Sequence, residues 1–328
     1  MKKYRLTGGL LWGVVMVFVI LSAGQGVSAY QIENLANTPK TGDYVIGPGK
    51  TELTVNPGDK KLKYLTVTNR YGKDMKFKVE IEDFTGSKNL NENIVLLGAE
   101  KGPYSLKDFL RPEVSEFTLK HGDRITLPVQ INIPNDAQPG GLYGSVIIAT
   151  VPDFGNGQED SNSAQGSLNI ISRLASLYFV RVNGAVNENG TLREFSTDKS
   201  VYGSSPINFK TLFENDGSIY VNPYGKITVN NMMGTTINEI NIAPYFVMPG
   251  SVRLKEFKLQ RGFMLGRYKA TLTLNRGYAN VIDEKTIYFW VLPWKIVGGG
   301  VVGLIFIIWL IQMIVSWFNK NFERKKKK

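Results

Sequence analysis

The sequence predicts an all-β protein, two tandem β-sandwiches followed by one transmembrane helix, and three features carry this prediction. Apolar and polar residues alternate along most of the chain between its two ends, which is typical of half-buried antiparallel strands. Turn-forming residues separate these runs at short intervals, as they do in sandwiches. A run of 20 residues without formal charge, 296–315, precedes a basic C-terminus and has the length that crosses a bilayer.

The alternation is clearest in residues 77–81, 125–133 and 268–274, where every second residue is apolar. Such a pattern places apolar side chains on one face of a strand and polar side chains on the other. Residues 168–182 show a longer strand pattern. The sequence Leu-Lys-Asp-Phe-Leu at 106–110 is the one stretch between the ends that predicts a helical turn.

The two halves of this region share an order of strands and turns. Each half has a strand ending near an asparagine, a glycine turn, an alternating strand, and a Gly-x-Tyr sequence that opens the next strand. Asn69, Gly122 and Tyr143 mark these places in the first half, and Asn215, Gly250 and Tyr268 mark them in the second. Tyr143 and Tyr268 occupy the place of the tyrosine corner of immunoglobulin-like sandwiches. Two immunoglobulin-like domains are predicted, and a coincidence of common turn residues is the alternative.

Domain boundaries follow from this pattern. We expect a first sandwich over residues 30–184, with a polar, glycine-rich and mobile hairpin loop at 153–166. A second sandwich follows over 185–293. The transmembrane helix then covers 296–317, and 318–328 form a basic cytoplasmic tail.

The N-terminus has the order of a secretory signal peptide. Three basic residues precede an apolar run at 10–21, and small residues follow, ending in Val27-Ser28-Ala29. Residues 1–29 are therefore predicted to be a signal peptide, cleaved between Ala29 and Tyr30. An uncleaved N-terminal anchor is the alternative.

The C-terminal run predicts both a membrane span and its orientation. Trp294 and Trp317 flank the run at the places where aromatic rings favour the membrane interface. Six basic residues follow it, including the tetralysine 325–328. Because positive residues stay on the cytoplasmic side, we expect a single-pass type I protein of the cell membrane with an extracellular ectodomain. A buried core helix is the alternative reading.

The net charge of +11 lies mainly at the chain ends and does not indicate nucleic-acid binding. Ten of the 39 basic residues, but only one of the 28 acidic residues, fall outside 30–294. The predicted ectodomain is left with about +2. The basic residues at the two ends of the chain indicate how it is oriented in the membrane; they do not indicate a phosphate-binding surface.

The sequence offers few residues for catalysis or metal binding. It has no cysteine and one histidine, His121, in a predicted His-Gly-Asp turn. Nucleophilic triads need an imidazole, and zinc or copper sites need His or Cys ligands. We therefore expect a non-enzymatic protein with no catalytic site, cofactor or metal ion. Hydrophobic cores instead of disulfides would hold its domains.

The chain resembles the WxL-interacting proteins of Gram-positive bacteria. The resemblance is carried by the overall layout and by short motifs at 53–58, 67–69, 133–144, 213–217, 248–251 and 266–268. It implies that the first module binds peptidoglycan and that the second binds a partner protein. It also implies that the helix retains the protein in the membrane.

These observations predict a cell-surface adhesion or scaffold protein that binds peptidoglycan, or a secreted or cell-surface protein, through its sandwiches. The alternative is a membrane-anchored assembly chaperone that captures a partner subunit at an unpaired edge strand. A bare apolar edge in the first sandwich, without Lys or Pro, would favour the chaperone.

Overall fold

The structure, a computed structural model, describes residues 30–152 and 170–326. It confirms the predicted fold class, a mostly β protein with two immunoglobulin-like units and a long apolar C-terminal helix. The first compact unit holds residues up to Glu82, Ser105–Ala137 and Tyr143–Val180; the second holds Asp83–Tyr104, Gln138–Leu142 and the chain from Arg181 onward. The predicted boundary near residue 184 stays a prediction. The predicted signal peptide, residues 1–29, and the predicted loop 153–166 both lie wholly outside the described residues.

Two sheets form the first half of the chain. One has the order β1-β9-β4-β2 with β7 also on β9, and the other has the order β3-β11-β10-β5-β6 with β8 also on β5. The strands are β1 (Gln31–Asn34), β2 (Tyr44–Gly47), β3 (Lys50–Val55), β4 (Lys60–Asn69), β5 (Met75–Gly86), β6 (Ile94–Leu96), β7 (Leu110–Pro112), β8 (Glu116–Leu119), β9 (Asp123–Asn132), β10 (Gly140–Thr150) and β11 (Arg173–Val182).

The second half repeats this arrangement with fewer strands. Its sheets have the orders β12-β14-β17 and β13-β19-β18-β15-β16. The elements are β12 (Gly190–Thr197), β13 (Val201–Tyr202), β14 (Ile207–Asn215), β15 (Tyr224–Asn230), β16 (Thr236–Ile242), β17 (Ser251–Leu259), β18 (Gly266–Asn275), β19 (Ile282–Val291) and the helix α1 (Trp294–Lys326).

Alternating apolar residues fill the space between the sheets of each unit. In the first unit Phe77 is fully buried, with its ring centroid 5.2 Å from that of Tyr44 and 5.5 Å from that of Phe117. In the second unit Phe289 is fully buried, 5.8 Å from Phe209 by the same measure. Large aromatic rings bury much apolar area per residue, so they account for a large share of the stability of each core.

A buried asparagine closes the turn after β14. Asn215 is fully buried, and its Nδ2 donates to the carbonyl oxygens of Ile219 and Val247, at 2.8 Å each. Its Oδ1 accepts from the amide of Gly217 at 2.9 Å. The amide of Gly250 donates to the Asn215 carbonyl at 2.8 Å. One side chain thus satisfies three main-chain groups that would otherwise lack partners in the core.

The first unit contains the same arrangement after β4. Asn69 is fully buried; its Nδ2 donates to the carbonyls of Lys73 and Leu119, at 2.8 Å each, and its Oδ1 accepts from the amide of Tyr71 at 2.9 Å. The amide of Gly122 donates to the Asn69 carbonyl at 2.9 Å. This correspondence makes β4 equivalent to β14 and β9 equivalent to β17.

Some local expectations are met and others need correction. The helical turn expected at 106–110 is a 3-10 helix at Lys107–Phe109. Of the long strand expected over 168–182, β11 covers Arg173–Val182, residues 170–172 are not in a strand, and 168 and 169 lie outside the described residues. Asn189-Gly190, a pair common in hairpin turns, leads here into β12, which lies in a different sheet from the preceding strand. Glycine is needed there because a Cβ on Gly190 would come within 2.6 Å of the Phe213 ring.

Candidate functional site: an open strand edge and a basic cluster

The strand β17 lies at one end of its three-stranded sheet. It pairs with β14 over nine residues, from Ser251 opposite Asn215 to Leu259 opposite Ile207, without a register shift. No other strand of the described chain pairs with it. Gly86 lies against Ser251, since a Cβ on that glycine would come within 2.4 Å of the serine Cβ. We therefore take residues 253–259 as the open edge.

The equivalent strand of the first unit is covered on both sides. One side of β9 pairs with β4, and the other pairs with β1 at residues 123–126 and with β7 at residues 129–131. The chain therefore adds its own segments to this edge in the first unit. The same edge in the second unit has the geometry to accept a strand.

Two basic side chains face inward along the open edge. Side chains alternate along a strand, so Arg253 and Lys255 share the face of the buried residues Ser251 and Leu259. Lys255 lies opposite the fully buried Thr211 of β14. Inward-pointing charges protect an edge from indiscriminate pairing. They also favour an added strand that carries a negative charge.

Aromatic rings hold the two cations in place. The Arg253 guanidinium carbon lies 4.3 Å from the ring centroid of Phe246 and 5.7 Å from that of Tyr245. Arg253 Nη1 also donates to the Phe246 carbonyl. Lys255 Nζ lies 5.4 Å from the Tyr245 ring centroid. We call Thr211, Tyr245, Phe246, Arg253 and Lys255 the basic cluster.

Three donor groups of the basic cluster are buried without a hydrogen-bond partner: the Tyr245 hydroxyl, Thr211 Oγ1 and Arg253 Nε. A buried donor without a partner costs about 1–3 kcal/mol. Each of these groups can donate a hydrogen bond, so the cluster is suited to an acceptor and above all to a carboxylate.

The pKa values of the cluster shift as expected for cations without a counter-charge. Burial lowers the pKa of Arg253. Burial, and then repulsion from Arg253, lower the pKa of Lys255. Burial raises the pKa of Tyr245 to about 12; the nearby Thr211 hydroxyl, which does not reach hydrogen-bonding geometry with it, and the Arg253 charge oppose this effect. A carboxylate beside these groups would stabilise both cations.

Removing the unpartnered hydroxyls should stabilise the free protein. We expect Tyr245→Phe and Thr211→Val each to raise the free energy of unfolding by about 1 kcal/mol, because each removes a buried donor that has no partner. The matched control is Tyr268→Phe, since the Tyr268 hydroxyl accepts from the Leu265 amide at 3.1 Å. That change should lower stability by about 1 kcal/mol. Equal losses for all three variants in urea unfolding would contradict this account of the cluster.

Buried tyrosines should make both units sensitive to alkali. Burial raises the pKa of Tyr178 and Tyr245 to about 12 from 10.0. A raised folded pKa gives stability that is complete below pH 10 and is lost as the pH rises to about 12. Each tyrosine should withdraw about 3 kcal/mol across this window. Phenolate absorbance and circular dichroism should change together there; ionisation of all tyrosines near pH 10 without unfolding would contradict this expectation.

None of the predicted site residues belongs to the open edge. Tyr143 is fully buried with its ring 5.8 Å from Phe179, whereas the Tyr268 hydroxyl meets Leu265 three residues upstream. Both tyrosine-corner assignments stay predictions. Trp294 and Trp317 are exposed at the two ends of an apolar segment of α1 with mean hydropathy 2.3. This is the one helix of the described chain long and apolar enough to be a membrane anchor.

The remaining residues considered for catalysis or metal binding are His121 and groups of possible metal ligands. His121 Nδ1 accepts from the Gly72 amide at 3.2 Å, as expected for a turn residue. Within residues 30–152 and 170–326, no three His, Cys, Asp or Glu residues group as metal ligands. Sequence reasoning missed the basic cluster, although the alternation of Arg253 and Lys255 with Val252 and Leu254 could have shown two charges on one strand face.

A bare apolar strand edge, the feature expected to favour a chaperone, is present in a shorter form at β6. This edge strand, Ile-Val-Leu, has no Lys or Pro, and Val95 and Leu96 are 39% and 38% exposed. It is three residues long, and it lies in the segment Asp83–Tyr104 that groups with the second unit. The seven open residues of β17 offer more main-chain groups to an incoming strand.

By its fold the chain is a protein with two tandem immunoglobulin-like units, and the second unit has a strand, β17, whose outer edge is unpaired among the described strands. No protein-family model matches the sequence, and neither does any curated protein. Solved structures are similar to the chain at low identity. The class 5 fimbriae chaperone CfaA is 13% identical, with 76% of this chain and all of that chain covered at a TM-score of 0.35.

Two other solved structures are of the same kind. The CupB2 chaperone of Pseudomonas aeruginosa is 11% identical, with 75% of this chain and all of that chain covered at a TM-score of 0.35. The E. coli chaperone DraB is 14% identical, with 76% and 97% covered at a TM-score of 0.32. With TM-scores below 0.5, these likenesses assign no partner to this chain.

Proposed function

We propose that this chain is a membrane-anchored surface protein that captures an extended segment of a partner protein by strand addition at β17. The observation that carries the proposal is the difference between two equivalent strands. In the first unit β9 is covered on both sides, whereas β17 in the second unit has one neighbour among the described strands. The function is therefore that of the chaperone-like alternative more than of a wall adhesin.

Strand addition at β17 would draw its binding free energy from main-chain hydrogen bonds and from side-chain contacts. An antiparallel neighbour gains about one main-chain hydrogen bond per residue, each worth about 1 kcal/mol net, but ordering the segment offsets most of this gain. Side-chain contacts must then supply affinity and selectivity. The basic cluster supplies them for a segment whose acidic side chain points inward beside Arg253 and Lys255.

Anchoring in the membrane is the second part of the proposal. The apolar segment Trp294–Trp317 has 24 residues, which at about 1.5 Å per residue span a bilayer core. The basic residues after it favour an extracellular position for both units. Such a protein would hold its partner at the outer surface of the membrane. Peptidoglycan binding by the first unit, and kinship with WxL-interacting proteins, stay predictions.

The test is a selection of random displayed peptides on the full-length protein in lipid nanodiscs. We expect the selected peptides to alternate apolar and polar residues and to share one acidic position. Synthetic copies should then be N-methylated at either alternate set of amides. A strand on one edge uses only one of these sets, so one series should lose binding and the other keep it. Equal behaviour of the two series would contradict strand addition.

A further inference from the structure

Several elements of the second unit end at the same level as the start of the helix. Gly266 at the start of β18 pairs with Val291 at the end of β19, and Lys269 pairs with Asn230 at the end of β15. The start of β14 lies opposite the end of β17 there, with Ile207 paired to Leu259. Two loops, 231–235 and 260–265, therefore lie at the end of the unit from which α1 departs. We call them the helix-side loops.

Four apolar side chains of the helix-side loops are exposed. Met232 is 72% exposed, Met233 92%, Phe263 65% and Leu265 49%. Single exposed apolar residues are ordinary, but a group at one end of a domain marks a surface that meets an apolar partner. Met232 lies close to the start of β18, since a Cβ on Gly266 would come within 3.4 Å of its sulfur. The two loops thus form one surface.

Hydrogen bonds hold these loops in shape. Asn231 Oδ1 accepts from the amides of Met233 and Thr235, at 3.0 and 2.9 Å. In the other loop the Arg261 amide donates to Ser205 Oγ at 3.1 Å, and the Arg261 guanidinium donates to the Ile237 carbonyl. The exposed apolar residues are therefore presented by formed turns, which lowers the entropy cost of binding.

The connection to the helix is short and tied to the sandwich. Only Leu292 and Pro293 separate β19 from α1, and two residues span at most about 7 Å. The Leu292 amide donates to the Tyr202 carbonyl at 2.7 Å. Trp294 lies near Gly203, where a Cβ would be 3.8 Å from its Cδ1. Where α1 enters a bilayer, the helix-side loops must lie close to the bilayer surface.

Basic and aromatic side chains surround the apolar residues. Arg267 is exposed and stacks on the exposed Tyr288, with its guanidinium carbon 4.2 Å from the ring centroid. Lys269 is exposed beside it, and Lys295 Nζ lies 5.8 Å from the Trp294 ring centroid. Asp198, an acidic residue at this end, is hydrogen-bonded to Tyr202 and Asn208. Cations and aromatic rings around an apolar centre suit the headgroup region of a bilayer with anionic lipids.

We infer that the helix-side loops dock on the membrane that α1 spans, with Met232, Met233, Phe263 and Leu265 among the headgroups and Arg267 and Lys269 facing anionic phosphates. This inference rests on the proposed membrane anchoring. It adds a lipid-binding surface to the second unit, which fixes the unit against the bilayer instead of leaving it to swing on the helix. Apolar side chains at interfaces reach about 5–10 Å into the headgroup region.

The experiment uses the absence of cysteine from the sequence. Single substitutions Met233→Cys, Phe263→Cys, Val281→Cys and Ile308→Cys are labelled with an environment-sensitive fluorophore in the full-length protein. The proteins are reconstituted in phosphatidylcholine vesicles with phosphatidylglycerol. Val281 is the matched control, an exposed apolar residue after the far end of β18, about 30 Å away at about 3.3 Å per residue. Nitroxide lipids, labelled near the headgroup or deep in the chains, serve as quenchers.

We expect headgroup nitroxides to quench labels at 233 and 263, with a blue shift, and deep nitroxides to quench the label at 308. The label at 281 should respond to neither. Quenching at 308 without quenching at 233 and 263 would overturn the docked surface while leaving the anchor intact. Absence of quenching at 308 would overturn the anchor itself, and the inference with it.

Discussion

Replacing Asn215 with alanine should lower the free energy of unfolding of the second unit by about 4 kcal/mol. The change leaves the carbonyls of Ile219 and Val247 and the amide of Gly217 without their partner. A buried main-chain group without a partner costs about 1–3 kcal/mol, and water that enters the new cavity would recover part of the total. Asn69→Ala should have a similar effect on the first unit, since its hydrogen bonds are the same.

A buried cysteine can report the unfolding of each unit separately. Ala270→Cys lies in the core of the second unit and Ala149→Cys in that of the first. Thiol labelling across a urea series then gives the stability of each unit in the full-length protein. The matched control is Asn241→Ala, an exposed asparagine of β16, which should change stability by less than about 0.5 kcal/mol. A loss at Asn215 no larger than the control would refute the structural role of the motif.

Reversing the charge of Lys255 should weaken capture of an acidic peptide by about 100-fold. The change removes a charge-assisted hydrogen bond, worth about 1.5–3 kcal/mol, and adds repulsion between carboxylates. The fold should tolerate Lys255→Glu, because repulsion from Arg253 contributes to the lowered pKa of Lys255. A glutamate there would instead face Arg253 as a counter-charge, so loss of binding would not reflect unfolding.

Lys258→Glu is the matched control for this change. Lys258 lies three residues further along the same edge, on the opposite face of β17, and is exposed. The net charge changes equally in both variants, so long-range attraction falls equally and should cost less than about fivefold in affinity. Titration of a selected peptide against each variant separates the two effects. Equal losses would place the acidic side chain elsewhere.

The strands could be predicted because a strand with one buried face alternates apolar and polar residues, and this pattern is visible within a short stretch of sequence. Residues 125–131 and 268–274 read correctly as strands, since each has one buried face. The repeated asparagine and glycine turns could also be predicted. A position with positive φ, such as Gly122 at φ 86°, favours glycine, so the residue type itself indicates the turn. The membrane-crossing length of 296–315 needs no tertiary information at all.

The open edge could not be predicted, because whether a strand lies at an edge depends on which other strands pair with it. Whether β17 is central or at an edge is decided by segments far away in sequence, as β1 and β7 show for β9. The basic cluster likewise joins Thr211, Tyr245 and Lys255 from separate elements. Gly190 shows the same dependence on distant residues, since glycine is needed there because of the Phe213 ring and not because of a local turn.

Hydrogen–deuterium exchange of the full-length protein in nanodiscs, with and without a selected peptide, tests strand addition at β17 most directly. Amides on the open side of an edge strand exchange fast until a neighbour binds them. We expect alternate amides within 253–259 to exchange more slowly when the peptide binds, while those of β12, the opposite edge of the same sheet, keep their rates. Slowing elsewhere in the chain with residues 253–259 unchanged would contradict strand addition at β17.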